Sequence, residues 1–182
     1  MKHLTLLLPL CVTLAAQAAG PAPRDRIERG RYLVNATGCA DCHTPLTMGP
    51  QGPAPDLARS FSGHPESLVM PPVPVLPAGP WLVVSSVTNT AWAGPWGVSF
   101  TANLTPDPET GLGRWSEQDF VRTLRSGRHL GQGRLLLPPM PVAYGQMTEA
   151  DLRAVFAYLK TLAPIRNRVP APLPPTERPN TP

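Results

Sequence analysis

Cysteine is scarce in this sequence, which contains only three cysteines among its 182 residues. Cys11 lies in an N-terminal apolar run, so Cys39 and Cys42 are the only two cysteines in the remaining chain. A structural zinc site usually needs about four Cys or His ligands, arranged in spaced pairs. His64 and His129 are isolated and do not supply a second pair, and the sequence therefore disfavours zinc.

Long apolar segments are absent after the N terminus, where no run approaches the ~20 residues that a membrane-spanning helix needs. Residues 1–18 combine a short basic start, an apolar stretch at 4–16 and the small-residue site Ala16-Gln17-Ala18. These features predict a secretory signal peptide, which is removed together with Cys11. We expect the mature chain to be exported, with a single domain at 19–167.

Positive charge is weak and dispersed. The formal net charge is +4, and the basic residues are mostly arginines scattered along the chain. This distribution gives poor support for nucleic-acid binding, which usually shows a clustered basic surface. Only Arg122, Arg125 and Arg128 follow a helical spacing. For these three we favour a solvated helix face over a docking patch for an acidic partner.

Proline, in contrast, is abundant, with 26 residues concentrated at 45–80 and 164–182. The first span is longer than an ordinary loop, which predicts a long, irregular, Pro-rich insertion. The tail at 168–182 combines proline with few large apolar side chains. This composition predicts an extended tail that is disordered or wrapped on the surface.

The strongest motif is the pentad Cys39-Ala40-Asp41-Cys42-His43. Two thiols at this spacing can each add to one vinyl group of a porphyrin, and the histidine that follows can bind the iron. A thioredoxin-like site would need a βαβ context, which the flanking sequence lacks. A disulfide between the two cysteines remains open, but it gives His43 no role. The pentad predicts one haem c, attached covalently through Cys39 and Cys42, with His43 on the iron.

Three segments predict α-helices. The first spans 23–36 and contains Gly30, whose missing side chain indicates close approach by another helix. The second begins after the cap Ser116, where Asp119 completes a capping box, and it ends at Gly127.

The third helix begins after Thr148, with Asp151 at its third position, and Pro164 is expected to end it. Its apolar residues recur at helical spacing. A valine-rich run at 81–88 predicts a strand, which pairs with 97–101 in a short β-hairpin. The fold class expected from these elements is mainly α.

This order of elements resembles the class I c-type cytochromes. The segments that carry the resemblance are 29–34, the pentad, 103–107, 110–115, 137–141 and 151–159. The resemblance implies an N-terminal helix that leads into the C-x-x-C-H motif and a C-terminal helix that crosses it. The chain is similar to monohaem modules found alone or with bacterial membrane-bound alcohol and aldehyde dehydrogenases. The Pro-rich insertion at 45–80 departs from compact members of the class.

The resemblance also implies that a methionine from the loop before the last helix binds the iron opposite His43. Met140 occupies this place. Pro139 and Pro141 restrict its backbone, which would lower the entropy lost on ligation. Pairing a thioether with histidine raises the haem potential. We therefore expect His43 and Met140 to be the two iron ligands.

Three other methionines follow the predicted signal peptide: Met48, Met70 and Met147. Met70 is the main rival of Met140, because it also lies in a Pro-rich turn. Met48 follows His43 too closely to reach the opposite face of a haem easily. Met147 is better explained as an apolar staple before the last helix.

Further residues are candidates for the surroundings of the haem. In similar cytochromes a proline carbonyl accepts a hydrogen bond from the iron-binding histidine, and Pro53, Pro55 or a neighbour in the same loop could do so here. His64 and His129 are expected to be exposed loop residues. Four aromatic side chains could reach the haem or its propionates, although core packing is their default role: Trp92, Trp96, Trp115 and Tyr144.

Together these expectations describe an exported, periplasmic electron carrier and not an enzyme. The resemblance implies a dehydrogenase as the electron donor and an oxidase or another cytochrome as the acceptor, with transient docking. Two alternatives remain. One is a haem-bearing subunit of a larger dehydrogenase complex, and the other is a haem enzyme or gas sensor in which Met140 does not occupy the iron.

Overall fold

Four α-helices and two small antiparallel sheets form the regular structure of the computed structural model, which describes residues 23–74 and 80–175. The expected signal peptide at 1–18 lies outside the described residues, as do 75–79 and 176–182. None of the described helices is long and apolar enough to cross a membrane. The helices are α1 Pro23–Ala36, α2 Cys39–His43, α3 Glu117–Ser126 and α4 Glu149–Leu159. The strands are β1 Leu46–Gly49, β2 Gly52–Pro55, β3 Val84–Ser85, β4 Ala91–Gly94 and β5 Gly97–Phe100.

The boundaries of α1 and α3 confirm the prediction from local sequence signals. The Ser116 hydroxyl accepts a hydrogen bond from the Asp119 backbone N–H at 3.1 Å, and the Asp119 carboxylate accepts one from the Ser116 N–H at 3.0 Å. This reciprocal pair satisfies donors that would otherwise lack partners at the start of a helix. Gly127 ends α3 with φ at 63°, a left-handed conformation that glycine adopts without steric cost.

α4 begins as predicted but ends earlier. The Thr148 hydroxyl accepts a hydrogen bond from the Asp151 backbone N–H at 3.1 Å. The helix then ends before the chain reaches Pro164. Its last turn tightens, because the Thr161 N–H donates to the Tyr158 carbonyl three residues back, at 2.8 Å. The proline therefore lies beyond the helix and does not terminate it.

α1 and α4 cross at Gly30, which confirms the expected close approach. A Cβ atom at Gly30 would lie 1.9 Å from the backbone oxygen of Ala154. Beside the crossing, the Arg29 guanidinium donates to the Asp151 carboxylate at 2.9 Å. The apolar core extends from this crossing to α3 and comprises Leu33, Val34, Phe61, Leu112, Phe120, Val155, Phe156 and Leu159.

The larger sheet differs from the predicted hairpin. β4 lies between β3 and β5, so the run at 81–88 does not pair with 97–101. β4 and β5 form the tight hairpin, with Gly94 opposite Gly97. The sequence of β4, Ala-Trp-Ala-Gly, lacks the alternating β-branched pattern that identifies strands. This absence explains why the sequence did not reveal it.

The Pro-rich span is more regular than predicted. β1 and β2 pair antiparallel, from Leu46 opposite Pro55 to Gly49 opposite Gly52. The Leu46 N–H also donates to the Thr88 carbonyl at 2.9 Å, which joins this hairpin to the chain before β4. The prolines are tolerated because a two-stranded sheet consists of edge strands, which do not need every N–H in the ladder.

His64 is fully buried, which corrects the expectation of an exposed turn. Its Nε2 lies 2.9 Å from the Leu68 carbonyl, and its Nδ1 lies 2.9 Å from the Thr90 hydroxyl. The ring also packs against Phe100, with the ring centroids 4.8 Å apart. The turn that carries His64 is buried because the larger sheet covers it, a contact that no local pattern encodes.

Asn167 joins distant parts of the chain. Its side-chain Nδ2 donates to the Ser62 and His64 carbonyls at 2.7 and 2.8 Å. Its Oδ1 accepts from the Glu66 N–H at 2.8 Å, and its own N–H donates to the Thr110 hydroxyl at 3.0 Å. A single side chain thus holds the end of the domain against the Pro-rich span.

Residues 168–175, which we call the strap, run past β5. The backbone groups of Val98 and Leu173 exchange two hydrogen bonds, at 2.9 and 3.0 Å. A Cβ atom at Gly97 would lie 2.1 Å from the Leu173 oxygen, so the strap can approach this closely only because position 97 is glycine. β5 is consequently paired on both of its edges.

Candidate functional site

One cavity of about 400 Å³ is lined by all four side chains that the sequence analysis assigned to the haem. They are Cys39, Cys42 and His43 from α2, and Met140 from the loop before α4. The volume lies within the range of about 300–1,000 Å³ that is typical of ligand sites. Apolar side chains from several elements complete much of the wall, among them Leu104, Leu112, Phe120, Leu136, Leu137 and Val155.

α2 is a single short helix that carries both thiols. Gly38 precedes it with φ at 73°, a conformation in which other residues are strained. Cys39 and Cys42 are both free thiols, so the disulfide that the sequence left open is not formed. Burial raises the pKa of both thiols, which keeps them protonated at neutral pH.

His43 is oriented by a backbone carbonyl. Its Nδ1 lies 2.8 Å from the carbonyl oxygen of Ala102. Because a carbonyl only accepts hydrogen bonds, Nδ1 carries the proton and Nε2 keeps a free lone pair. Burial lowers the pKa of His43, which favours the neutral ring. A neutral imidazole held in this way is suited to bind a metal through Nε2.

Ala102 replaces the acceptor that was expected in the loop after His43. Pro53 and Pro55 belong to β2, which pairs with β1. Ala102 is 59 positions from His43 and lies just after β5. The expectation was wrong because the acceptor depends on how β5 passes α2, and the local sequence does not determine that crossing.

Met140 is one of two methionines on the cavity wall. Its backbone N–H reaches the Leu137 carbonyl at 3.3 Å, within the same loop. Among the described residues, the lining also includes Met147, but neither Met48 nor Met70. Met147 packs against the apolar core as well, in agreement with its expected role as a staple. Met140 therefore lines the cavity and Met70, its main rival in the sequence, does not.

Two of the four aromatic candidates reach the cavity. Trp115 and Tyr144 belong to its lining, whereas Trp92 and Trp96 lie on the β4–β5 hairpin. The Tyr144 hydroxyl donates to the Thr37 carbonyl at 2.6 Å. This bond ties the 3₁₀ turn that follows the Met loop to the chain just before α2.

Polar and charged side chains also belong to the lining. His129 is half-buried and not exposed as expected, with its ring edge-on to Trp115 at a centroid distance of 5.2 Å. Arg134 and Arg168 add two positive charges to the same cavity. The lining therefore combines a mostly apolar wall with two arginines, His129 and one acidic side chain, Glu109.

The three arginines at helical spacing make local contacts. Arg122 pairs with Asp119 at 2.5 Å. Arg125 and Arg128 donate to backbone carbonyls of the following segments. These contacts agree with a solvated helix face and give no support for a separate docking patch.

Known proteins similar to this chain are subunits of dehydrogenases. The alcohol dehydrogenase (quinone) cytochrome c subunit of Gluconacetobacter polyoxogenes is 31% identical over 157 residues, 80% of this chain and 28% of that protein. The fructose dehydrogenase cytochrome subunit of Gluconobacter japonicus is 29% identical over 180 residues, 96% of this chain and 29% of that protein. A nicotinate dehydrogenase subunit of Pseudomonas putida is 32% identical over 146 residues, 80% of this chain and 9% of that protein.

This chain is a homologue of dehydrogenase cytochrome c subunits. The similarity confirms the resemblance to cytochrome modules that accompany bacterial dehydrogenases. No family model matches the chain. The chain spans only 9% to 29% of the length of these relatives.

Two residues near the cavity could not be identified from the sequence. Ala102 orients His43, and Ser99 donates a hydrogen bond to the Pro138 carbonyl at 2.5 Å. Neither residue belongs to a motif. Their only signal in the sequence was their position just before 103–107, one of the segments that resemble class I cytochromes.

Proposed function

We propose that this chain is an exported cytochrome that carries one electron at a time on a single, covalently attached haem c. The observation that carries the proposal is that Cys39, Cys42, His43 and Met140 line one cavity. They supply the group types that a c-type haem needs, namely two thiols, an imidazole and a thioether. The similarity to cytochrome c subunits supports the same assignment.

Cys39 and Cys42 would hold the haem covalently. Each thiol would add its sulfur and its hydrogen across one vinyl group of the porphyrin, so both thioether bonds form without an oxidant. Both cysteines are unbridged, which this addition requires.

His43 and Met140 would be the two iron ligands. The Ala102 carbonyl occupies Nδ1 of His43 and leaves Nε2 for the metal. The bound haem supplies reversible one-electron oxidation and reduction of its iron. With an imidazole and a thioether on the iron, no position remains for a substrate. We therefore assign electron transfer and not catalysis to this site.

The remaining lining fits the two ends of a haem. The apolar wall would exclude water from the ring, which favours a rigid site with little rearrangement between oxidation states. His129, Arg134 and Arg168 also line the cavity, and each could neutralise a negatively charged propionate.

We infer that residues 1–18 direct export to the periplasm, where haem c would be attached to the chain. Residues 19–167 would form the cytochrome domain, and 168–182 a Pro-rich tail. The span at 45–80 would be an insertion relative to compact class I cytochromes. It is held near the haem motif, because the Gly63 N–H donates to the His43 carbonyl at 2.9 Å.

A dehydrogenase is the proposed electron donor, and an oxidase or another cytochrome is the proposed acceptor. The relatives support the donor, because two of them are cytochrome subunits of alcohol and fructose dehydrogenases. Docking would be transient, since a carrier must release each partner after transfer.

The Met140→Ala variant of the haem-loaded protein tests the proposal. Oxidised wild-type protein should show the weak far-red absorption band of methionine bound to ferric haem, and reduced wild-type protein should not bind carbon monoxide. The variant should lose the band, bind carbon monoxide and have a lower reduction potential. Absorption spectra and a redox titration measure these properties.

Met70→Ala is the matched control and should behave as wild type, because Met70 is not among the described residues of the cavity wall. A band that survives in Met140→Ala but disappears in Met147→Ala would move the ligand to Met147. Ready binding of carbon monoxide by wild-type protein would instead favour an enzyme or gas sensor.

A haem-bearing subunit of a larger dehydrogenase complex is the second candidate. It is suggested by the relatives, whose names describe subunits and whose lengths exceed this chain several-fold. Purification of the tagged full chain from its native cells distinguishes the two. Stoichiometric recovery of a dehydrogenase would support the subunit, and recovery of a free monohaem protein would support the shuttle.

A further inference from the structure

A buried serine on β5 is hydrogen-bonded to the loop that carries Met140. The Ser99 hydroxyl oxygen lies 2.5 Å from the Pro138 carbonyl oxygen and 3.3 Å from that of Trp92. A hydroxyl has one proton to donate, and the shorter contact is the better placed to receive it. Only Pro139 separates Pro138 from Met140, so this bond restrains the methionine.

The distal loop, residues 137–141, has few other restraints. Prolines at 138, 139 and 141 have no N–H to donate. The Met140 N–H reaches only the Leu137 carbonyl, at 3.3 Å and within the loop. Among hydrogen bonds between described residues, the bond from Ser99 is the only one that joins the loop to an element other than the turn directly after it.

β5 is a firm support for this hydrogen bond. Ser99 is 7% exposed, and it lies on the cavity wall. On one edge, β5 pairs with β4 over its whole length. On the other edge, Val98 exchanges two backbone hydrogen bonds with Leu173 of the strap. A strand paired on both edges moves less than a Pro-rich loop, so the strand positions the loop and not the reverse.

We propose that Ser99 is a positioning residue that holds Met140 in the place from which its sulfur binds the iron. The inference rests on the proposed function, in which Met140 is a ligand. When the loop swings away from the iron, the hydrogen bond to Pro138 breaks, and the Pro138 carbonyl must find water. The bond therefore disfavours the state in which methionine has left the iron.

The affinity of added imidazole for the oxidised, haem-loaded full chain reports how readily Met140 leaves the iron. Imidazole can bind the iron only after Met140 has left it. Loss of the far-red band reports the displacement. In Ser99→Ala we expect the apparent affinity for imidazole to rise about tenfold, which corresponds to about 1.4 kcal/mol. The band of the imidazole-free variant should weaken in the same direction.

Ser62→Ala is a matched control. Ser62 is even less exposed than Ser99, and its hydroxyl also donates to a backbone carbonyl, that of Arg59 at 2.9 Å, but away from the distal loop. It should lower the thermal stability of the protein without changing the affinity for imidazole. Ser99→Thr and Ser99→Val form a second pair that differs only by the hydroxyl, for use if Ser99→Ala does not load haem. The threonine variant should resemble wild type, and the valine variant should bind imidazole more tightly.

Two results would overturn the proposal while leaving Met140 as the ligand. One is an unchanged affinity in Ser99→Ala, or equal affinities in the threonine and valine variants. The other is an equal rise in Ser62→Ala, which would indicate general loosening of the fold. A wild-type protein without the Met–Fe band would have a different meaning, since it would contradict the proposed function itself.

Discussion

His64 is a buried side chain with a hydrogen-bond partner on each ring nitrogen. The Leu68 carbonyl can only accept, so Nε2 carries the proton, and Nδ1 accepts from the Thr90 hydroxyl in the neutral ring. Burial lowers the pKa of His64. The neutral imidazole links the Pro-rich span to the larger sheet, and protonation would place an uncompensated charge in this buried site.

The stability of the protein should therefore fall in mild acid. Because the pKa of His64 is lower in the folded than in the unfolded protein, its contribution is complete above the unfolded value of about 6.5 and is lost as the pH falls below it. The slope cannot exceed about 1.4 kcal/mol per pH unit for one proton. Denaturant unfolding at pH 7.5 and 5.5 measures the change.

His64→Gln should be less stable at pH 7.5 but should lose less free energy of unfolding between the two pH values. The pKa of His129 is also lowered, mainly by burial, so His129→Gln serves as a parallel control for the second titrating imidazole. An identical pH dependence in wild type and His64→Gln would contradict the assignment to His64.

At the scale of elements, the crossing of α1 and α4 decides how the haem motif is presented. α1 leads through Gly38 into α2, so any displacement of α1 from α4 moves both thiols. Gly30 is the point of closest approach to the Ala154 backbone. The contact is with a carbonyl oxygen, which cannot move aside as a flexible side chain could.

Gly30→Ala should destabilise the protein by about 2 kcal/mol. In an isolated helix the same change would stabilise by roughly 1 kcal/mol, because alanine has the higher helix propensity. Here the added Cβ would lie 1.9 Å from the Ala154 oxygen, and overpacking of this kind costs about 1–3 kcal/mol beyond the lost gain. Thermal unfolding of the haem-loaded protein measures the difference.

Gly127→Ala provides the comparison for this prediction. A Cβ atom at Gly127 would meet no atom within 4 Å, but the residue has φ at 63°. Its cost of about 1–2 kcal/mol should come from the backbone alone. A Gly30→Ala protein as stable as wild type would show that α1 and α4 can separate without loss of packing.

At the scale of the whole molecule, the chain after α4 closes the structure around the cavity. Asn167 binds the Pro-rich span through the Ser62 and His64 carbonyls. The strap then pairs with β5, and β5 carries Ser99. The C-terminal region thus stabilises the part of the Pro-rich span that contains Ser62 and His64. It also stabilises β5, whose Ser99 donates to the loop that carries Met140.

Truncation after Asn167 should loosen β5. It removes the strap and with it both hydrogen bonds between Val98 and Leu173. We expect the Val98 amide to exchange with solvent at least about tenfold faster, since one lost buried hydrogen bond is worth roughly a kcal/mol or more. Hydrogen exchange of the haem-loaded protein, followed by mass spectrometry or NMR, measures the protection.

Truncation after Pro175 is the control, because it leaves Leu173 and both hydrogen bonds in place. Its Val98 amide should exchange as slowly as in the full chain. Equal protection in all three proteins would mean that pairing with β4 alone holds β5.

Local signals in the sequence were enough to predict a haem pentad and to place most helix boundaries. The pentad needs only neighbouring residues, and the caps at Ser116 and Thr148 are satisfied within one turn. Met140 was predicted from the resemblance to class I cytochromes, and the prolines on both sides of it only supported that choice over Met70. These features depend on residues a few positions apart, which the order of residues specifies directly.

Contacts between distant residues were decided by the tertiary structure alone. Ala102 binds His43 across 59 positions, Ser99 binds Pro138 across 39, and Asn167 binds Ser62 across 105. Each needs a particular path of the chain around the cavity, and Ala, Ser and Asn are common enough to carry no signal of their own. The residues that would bind the haem can therefore be predicted from the sequence. The residues that orient them can be found only from the tertiary structure.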